Sequence, residues 1–300
     1  MININLQTLL DPPNGLTISS ILIISYILGV LHGATPDEHT WPITFSYAVG
    51  KYSTKGGMKA GFLFSLGFTL QRAFLTTLGF IGLASFYNAY NLDAPVYMIV
   101  GIVMAIAGSY ILKGRYIHLP IDVIMSNSSN SSKAERSNVK DVPLKMAIVH
   151  GLVAGFGFGA YATIITFILS PQVPSIIYAP LPGLMFGIGT MTMQILFGAI
   201  FSNVLRVKKL SEEEIGFIGK MTAGRVLYYG GIVFFLVGLL ILGLPIIDNW
   251  AIETGNPIPN LNAINIGFLL VVGVVGVIGI TSIIKAYMKV IKKKGNERKT

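Results

Sequence analysis

Seven apolar runs, each long enough to cross about 30 Å of hydrocarbon at about 1.5 Å per residue, restrict the fold of this 300-residue chain more than any other feature. They lie near residues 16–33, 58–86, 96–112, 144–169, 181–205, 226–247 and 263–287. Lipid offers no hydrogen-bond partner to a backbone amide, so runs of this length are expected to be helices. Composition agrees: 53% of the residues are hydrophobic, only 12% are charged, and mean hydropathy is +0.69, which excludes an ordinary soluble domain. The expected fold class is an all-α polytopic membrane protein of about seven transmembrane helices.

Charge orders these runs across the membrane. Of the 22 Lys and Arg residues, 21 fall in the connections after the first, third, fifth and seventh runs, including the tail from Lys285 onward. The N-terminus and the alternate connections carry none, which predicts an external N-terminus, a cytoplasmic C-terminus and residence in the plasma membrane. The net charge of +9 therefore reflects cytoplasmic loops and a basic tail near anionic lipid, and not a nucleic-acid partner. The first fifteen residues lack the basic and apolar regions of a secretory signal, so the first run is expected to be retained. Absence of cysteine excludes disulfides and thiolate-held metals.

The expected organisation is an external N-terminus over 1–15, a first three-helix unit over 16–113, a polar linker over 114–143, a second three-helix unit over 144–247, an external loop over 248–262 and a seventh helix with its tail over 263–300. The Ser/Asn-rich linker reads as a cytoplasmic tether, in which Asn127 and Asn130 fit a glycosylation pattern but face the wrong side to be modified, and His118 reads as a surface residue. The two units look like copies: His32-Gly33 is followed by GFLFSLGFT from Gly61, and His150-Gly151 by GLMFGIGTM from Gly183. Three spans per unit put the second copy upside down, giving a 3+3 inverted repeat with one extra C-terminal helix. The opening helix of each unit should be interrupted, the first at Gly33-Ala34-Thr35-Pro36 and the second in the glycines from Gly151 to Gly159, because proline disfavours helix at the residue before it.

Chemistry is concentrated at the first break. His32, Asp37, Glu38 and His39 stand as H-x4-D-E-H, and imidazole with carboxylate suits nickel, cobalt, zinc, iron or manganese. His150, read as the counterpart of His32, is a further candidate ligand. Other readings stay open: Asp37 as a helix cap, the cluster as a solvated turn, or Arg72, the one basic residue inside a span, locked onto Asp37 or Glu38. Arg72, Gln71, Thr190 and Gln194 are the candidates for substrate contact or coupling, with Thr192 beside them; Thr and Gln in spans also serve simply to bond neighbouring helices. No nucleophile with a base, phosphate loop or paired catalytic carboxylates is visible, so no enzymatic activity is expected.

The stretch HGATPDEH resembles the signature of the nickel/cobalt transporters and their NicO and urease-accessory-like relatives in the LysE superfamily. His32 and Asp37 match a histidine followed five positions later by aspartate, and Pro36 resembles the P-D-H form; Glu38 stands where the family has its second histidine, which here is His39. The resemblance implies a secondary transporter of a divalent transition-metal cation with no resident cofactor. Membrane lipids and a small solute are the expected partners, with a homo-oligomer or membrane-complex partner left open. The alternatives are an exporter of an anion or small organic solute that uses Arg72, and a non-transporting subunit of a respiratory or assembly complex in which His32 and His150 ligate haem.

Overall fold

A computed structural model describes residues 5–83, 92–113, 141–207 and 210–297. Most of the linker, with His118, Asn127 and Asn130, lies outside the described residues. The described chain is almost wholly helical. After the short α1 (Leu6–Leu10) come α2 (Ile18–Ala34), α3 (Trp41–Lys51), α4 (Thr54–Phe80) and α5 (Asp93–Lys113). The second part holds α6 (Leu144–Ala154), α7 (Ala160–Thr163) continued by a π-wound turn (Ile164–Leu169), α8 (Leu181–Asn203) and α9 (Glu212–Gly243). A last rod follows as α10 (Ile266–Val271), a π-wound stretch (Val272–Gly279) and α11 (Ile280–Glu297).

Four helical stretches are long and apolar enough to cross a membrane: Asp93–Leu112, Leu181–Arg206, Glu212–Gly243 and Ile266–Gly295. With α4, whose 27 residues span about 40 Å, they make an all-α membrane protein. Its surface has the inverted polarity that lipid demands. Leu70, Phe74, Leu196, Ile200, Leu236 and Leu242 are exposed along the helices, whereas Ser65, Thr69, Gln71, Arg72, Thr190 and Gln194 are buried. Two buried hydroxyls on α4 return to their own helix, Thr69 donating to the Ser65 carbonyl at 2.7 Å and Thr76 to the Ala73 carbonyl at 3.1 Å.

One helix boundary and one connection differ from expectation. The sixth run begins at Glu212 and not near 226, because Ser211 and Glu214 form a reciprocal capping box and the first turns bury Gly219 against the Val49 carbonyl of α3. The connection over 248–262 is not featureless. Ala251–Glu253 pairs antiparallel with Ala263–Asn265 as strands β1 and β2, the one departure from an all-helical fold among the described residues.

α4 packs along α8, α5 along α9, α2 along α8 and α6 along α4. Glycines permit these close crossings, since a Cβ at each would meet backbone or a side chain of the neighbour. Position 29 abuts Phe186 and 151 abuts Phe64; 33 abuts Met193 and 155 abuts Gln71. Position 61 abuts Gln194 and 183 abuts Arg72; 67 abuts Ile148 and 189 abuts Tyr26. In every pair the glycines are 122 residues apart (29 and 151, 33 and 155, 61 and 183, 67 and 189), and so are the residues they touch. His32-Gly33 and His150-Gly151, by contrast, are 118 residues apart; at the spacing of the glycine contacts, His150 falls at the position of Leu28 and His32 at that of Ala154.

Candidate functional site

Both opening helices are discontinuous. α2 stops because Pro36 forces Thr35 into extended backbone (φ −84°, ψ 150°); after a turn in which the Trp41 amide donates to the Asp37 carbonyl at 3.0 Å, the chain restarts as α3. α6 stops at Ala154, and Gly155–Gly159 carry the chain to α7. The two interruptions meet at one cavity of about 280 Å³. Pro36, Asp37, Glu38 and His39 line it from the first, and Gly157 to Ala162 from the second.

Four of the residues singled out from sequence form its polar wall. His32 Nδ1 stands 3.7 Å from Asp37 Oδ2, and His39 Nε2 stands 3.5 Å from Glu38 Oε1. Asp37 Oδ1 also accepts the His39 amide at 3.0 Å, so the carboxylate pins its own turn. All but Glu38 are at least nine-tenths buried, and His32 Nε2 and His39 Nδ1 have no hydrogen-bond partner. The His32 ring stacks between Phe68 and Phe186 (centroids 5.5 and 5.2 Å) with the edge of Tyr161 at 5.7 Å, which fixes the imidazole plane. Among the described residues no three His, Asp or Glu groups stand close enough together to hold a metal ion as placed; the site presents two imidazole–carboxylate pairs.

Arg72 also lines the cavity. Its Nη2 donates to the Gly157 carbonyl at 2.7 Å and its guanidinium lies over Phe68 at 4.7 Å. Gln194 donates to the Gly33 carbonyl at 3.2 Å, where Trp41 Nε1 also donates at 3.4 Å, and Thr190 donates to Gly29 at 3.1 Å. Gln71 is buried against Gly155, and the Thr192 hydroxyl, near an exposed face, bonds back to Ile188 at 3.0 Å. These polar residues therefore serve the helix breaks and crossings, and of them only Arg72 reaches the cavity. His150 does not. It is buried between α3, α5 and α6, with Nδ1 2.8 Å from the Tyr47 hydroxyl and 2.9 Å from the Met146 carbonyl.

The rest of the wall escapes local sequence patterns. Asp93 and Tyr97 come from the start of α5, Asp248 from the loop after α9, and Asn260, Asn262 and Asn265 from the loop and strand that lead to α10. The Tyr97 hydroxyl donates to Glu38 Oε1 at 2.9 Å, and Asn260, in the left-handed region at φ 66°, donates to Thr35 Oγ1 at 3.2 Å. Glu38 also faces Gly267 at the start of α10, where any Cβ would collide with its carboxylate. The last helix is thus part of the cavity wall and not an appendage.

Four carboxyl groups, of Asp37, Glu38, Asp93 and Asp248, and the Arg72 guanidinium line the cavity. Asp248 registers this crowding: burial, with the nearby Asp93 and Glu38 charges, pushes its carboxyl up to about 6. Compared with family models, with characterised proteins and with solved structures, the chain matches none.

Proposed function

We propose that the chain is a secondary transporter of a divalent transition-metal cation, nickel- or cobalt-like, that binds transiently where the two broken helices meet. The observation that carries this reading is the buried cavity at both interruptions, which holds His32, Asp37, Glu38 and His39 with unpartnered imidazole nitrogens. Discontinuous helices whose freed backbone lines a central cavity are the arrangement by which secondary transporters bind ions. The two imidazole–carboxylate pairs, 3.7 and 3.5 Å across, offer the nitrogen and oxygen donors that such cations take.

Seven spans in a 3+3 inverted repeat, with the N-terminus outside and the plasma membrane as location, complete the proposal. Supporting the repeat are the four reciprocal glycine contacts with their constant spacing of 122 residues. The orientation rests on the basic connections. Within this reading His150 leaves the ligand set. The exporter alternative, with Arg72 as counter-charge to an anion, is less well supported, because four carboxyl groups outnumber that guanidinium in the cavity.

The test is thermal stabilisation of the full chain in detergent by nickel, cobalt, zinc and manganese, followed by uptake into proteoliposomes that hold a metal-sensing dye. A ligand that binds only the folded protein raises Tm by mass action, about 2.7 kcal/mol at a hundredfold over Kd. Wild type should respond to at least one of the four metals, and His32→Ala and His39→Ala should respond much more weakly. A flat response in wild type, or equal responses in all three, overturns the cation reading.

A further inference from the structure

We infer that Arg72 and Gln194 are equivalent positions of the two halves, each tying down the carbonyl side of one helix break, and that Arg72 is the positioning residue that sets His39 in the cavity. The inference deepens the cation reading of the site and rests on it only for the metal-binding part of its test.

The equivalence follows from packing. Gly61 lies against Gln194 and Gly183 against Arg72, and the spacing of 122 residues that relates the glycines also relates 72 to 194. Their jobs match as well. The Gln194 side-chain amide donates to Gly33 in the last turn of α2 at 3.2 Å; the Arg72 guanidinium donates to Gly157, just past the end of α6, at 2.7 Å. A helix end within a membrane leaves carbonyls that no water satisfies, and each break needs a donor from outside its own helix.

The two ends differ in what they demand. The first is a single proline turn whose Gly33 carbonyl also receives Trp41, so a neutral amide suffices. The second runs through five residues of glycine and phenylalanine with no side-chain donor of its own, and the longer, charged guanidinium reaches two residues beyond the position matching Gly33. Its plane over Phe68 holds it there. Gly157 in turn lies against the His39 ring so closely that a Cβ would overlap it. The path from Arg72 to the Gly157 carbonyl to His39 thus crosses from one half to the other.

The experiment compares Arg72→Gln, which copies the Gln194 solution, with Arg72→Leu, which removes the donor. Hydrogen exchange over residues 155–162 in the full chain reads the local opening of the break directly: Arg72→Leu should speed it at least about tenfold and Arg72→Gln by less than about threefold. For nickel, Arg72→Leu should weaken binding about tenfold, and the double variant with His39→Ala should lose no more than His39→Ala alone. Should Arg72→Leu not fold, Arg72→Gln alone and combined with His39→Ala carries the same comparison. Unchanged exchange in Arg72→Leu, Arg72→Gln as impaired as Arg72→Leu, or additive losses with His39→Ala each overturn the inference. If wild type ignores nickel, cobalt, zinc and manganese alike while Arg72→Leu still loosens residues 155–162, the cation reading falls and the role of Arg72 at the break stands.

Discussion

The first break, Thr35 to Thr40, and the second, Gly155 to Gly159, meet at the same cavity with opposite contents. The first brings Asp37, Glu38 and His39, with His32 one turn earlier; the second brings glycine and aromatic residues, backbone carbonyls and room. In a water-free layer a charged turn is stable only if something admits it without competing for its partners. A glycine-rich loop does so, because it lets the His39 ring lie against Gly157 and offers no polar side chain of its own. One break supplies the ligands, and the other supplies the space they need.

The sharpest way to break this comparison is to remove the charge from the first break while keeping its shape. Asp37→Asn preserves volume and an acceptor for the His39 amide but deletes the carboxylate beside His32. A buried charge next to a divalent cation contributes several kcal/mol, so nickel binding should weaken more than about 100-fold, about 2.7 kcal/mol or more, with only a small change in Tm. Titration in detergent measures it; a loss under threefold would make Asp37 a turn residue only.

The reciprocal change adds bulk to the second break. Gly157→Ala places a Cβ on the His39 ring, and overfilling a packed site costs about 1–3 kcal/mol. The melting temperature should fall by several degrees and nickel binding by about tenfold, although no charged group is touched. Gly159→Ala, where a Cβ meets nothing within 4 Å, should do neither and serves as the control.

Legibility followed the same division. A cluster of charge beside an apolar run is conspicuous because polar groups are costly in lipid, so His32, Asp37, Glu38 and His39 stand out, as does the interruption at Pro36. Asp93, Tyr97, Asp248 and the three asparagines lie at helix ends and in a connecting loop, where polar residues are ordinary, and only the tertiary fold brings them over the cavity. His150 misleads for a definite reason. A shared His-Gly dipeptide is a weaker guide to register than glycine contacts, which reflect how closely two backbones approach and pair Gly151 with Gly29. The early start of α9 was readable in Ser211-x-x-Glu214, a capping signal masked by the charged residues after it.

A smaller effect separates the first break from the wall that supports it. Tyr97→Phe removes the hydroxyl that donates to Glu38 at 2.9 Å while filling the same space. Hydrogen bonds to charged groups contribute about 1.5–3 kcal/mol, so Tm should drop by a few degrees and nickel binding by no more than about tenfold. Equal damage from Tyr97→Phe and Asp37→Asn would show that Glu38, not Asp37, dominates the cation's surroundings.

The smallest effect belongs to Asp248, at the edge of the cavity, and it depends on pH. Its carboxyl titrates at about 6 in the folded chain against about 3.9 in an unfolded one. The folded state therefore holds the proton more tightly, and stability should decline as pH rises from about 4 to about 6, then level off. Cation binding runs the other way, because above about 6 the ionised carboxylate adds a negative charge to the cavity. Asp248→Asn should flatten both trends, weakening nickel binding several-fold near pH 7.5 and leaving it almost unchanged near pH 5. The difference between the two profiles is the signature of the Asp248 carboxylate. Parallel profiles would place Asp248 outside the cation's field and confine the electrostatics of the cavity to the first break.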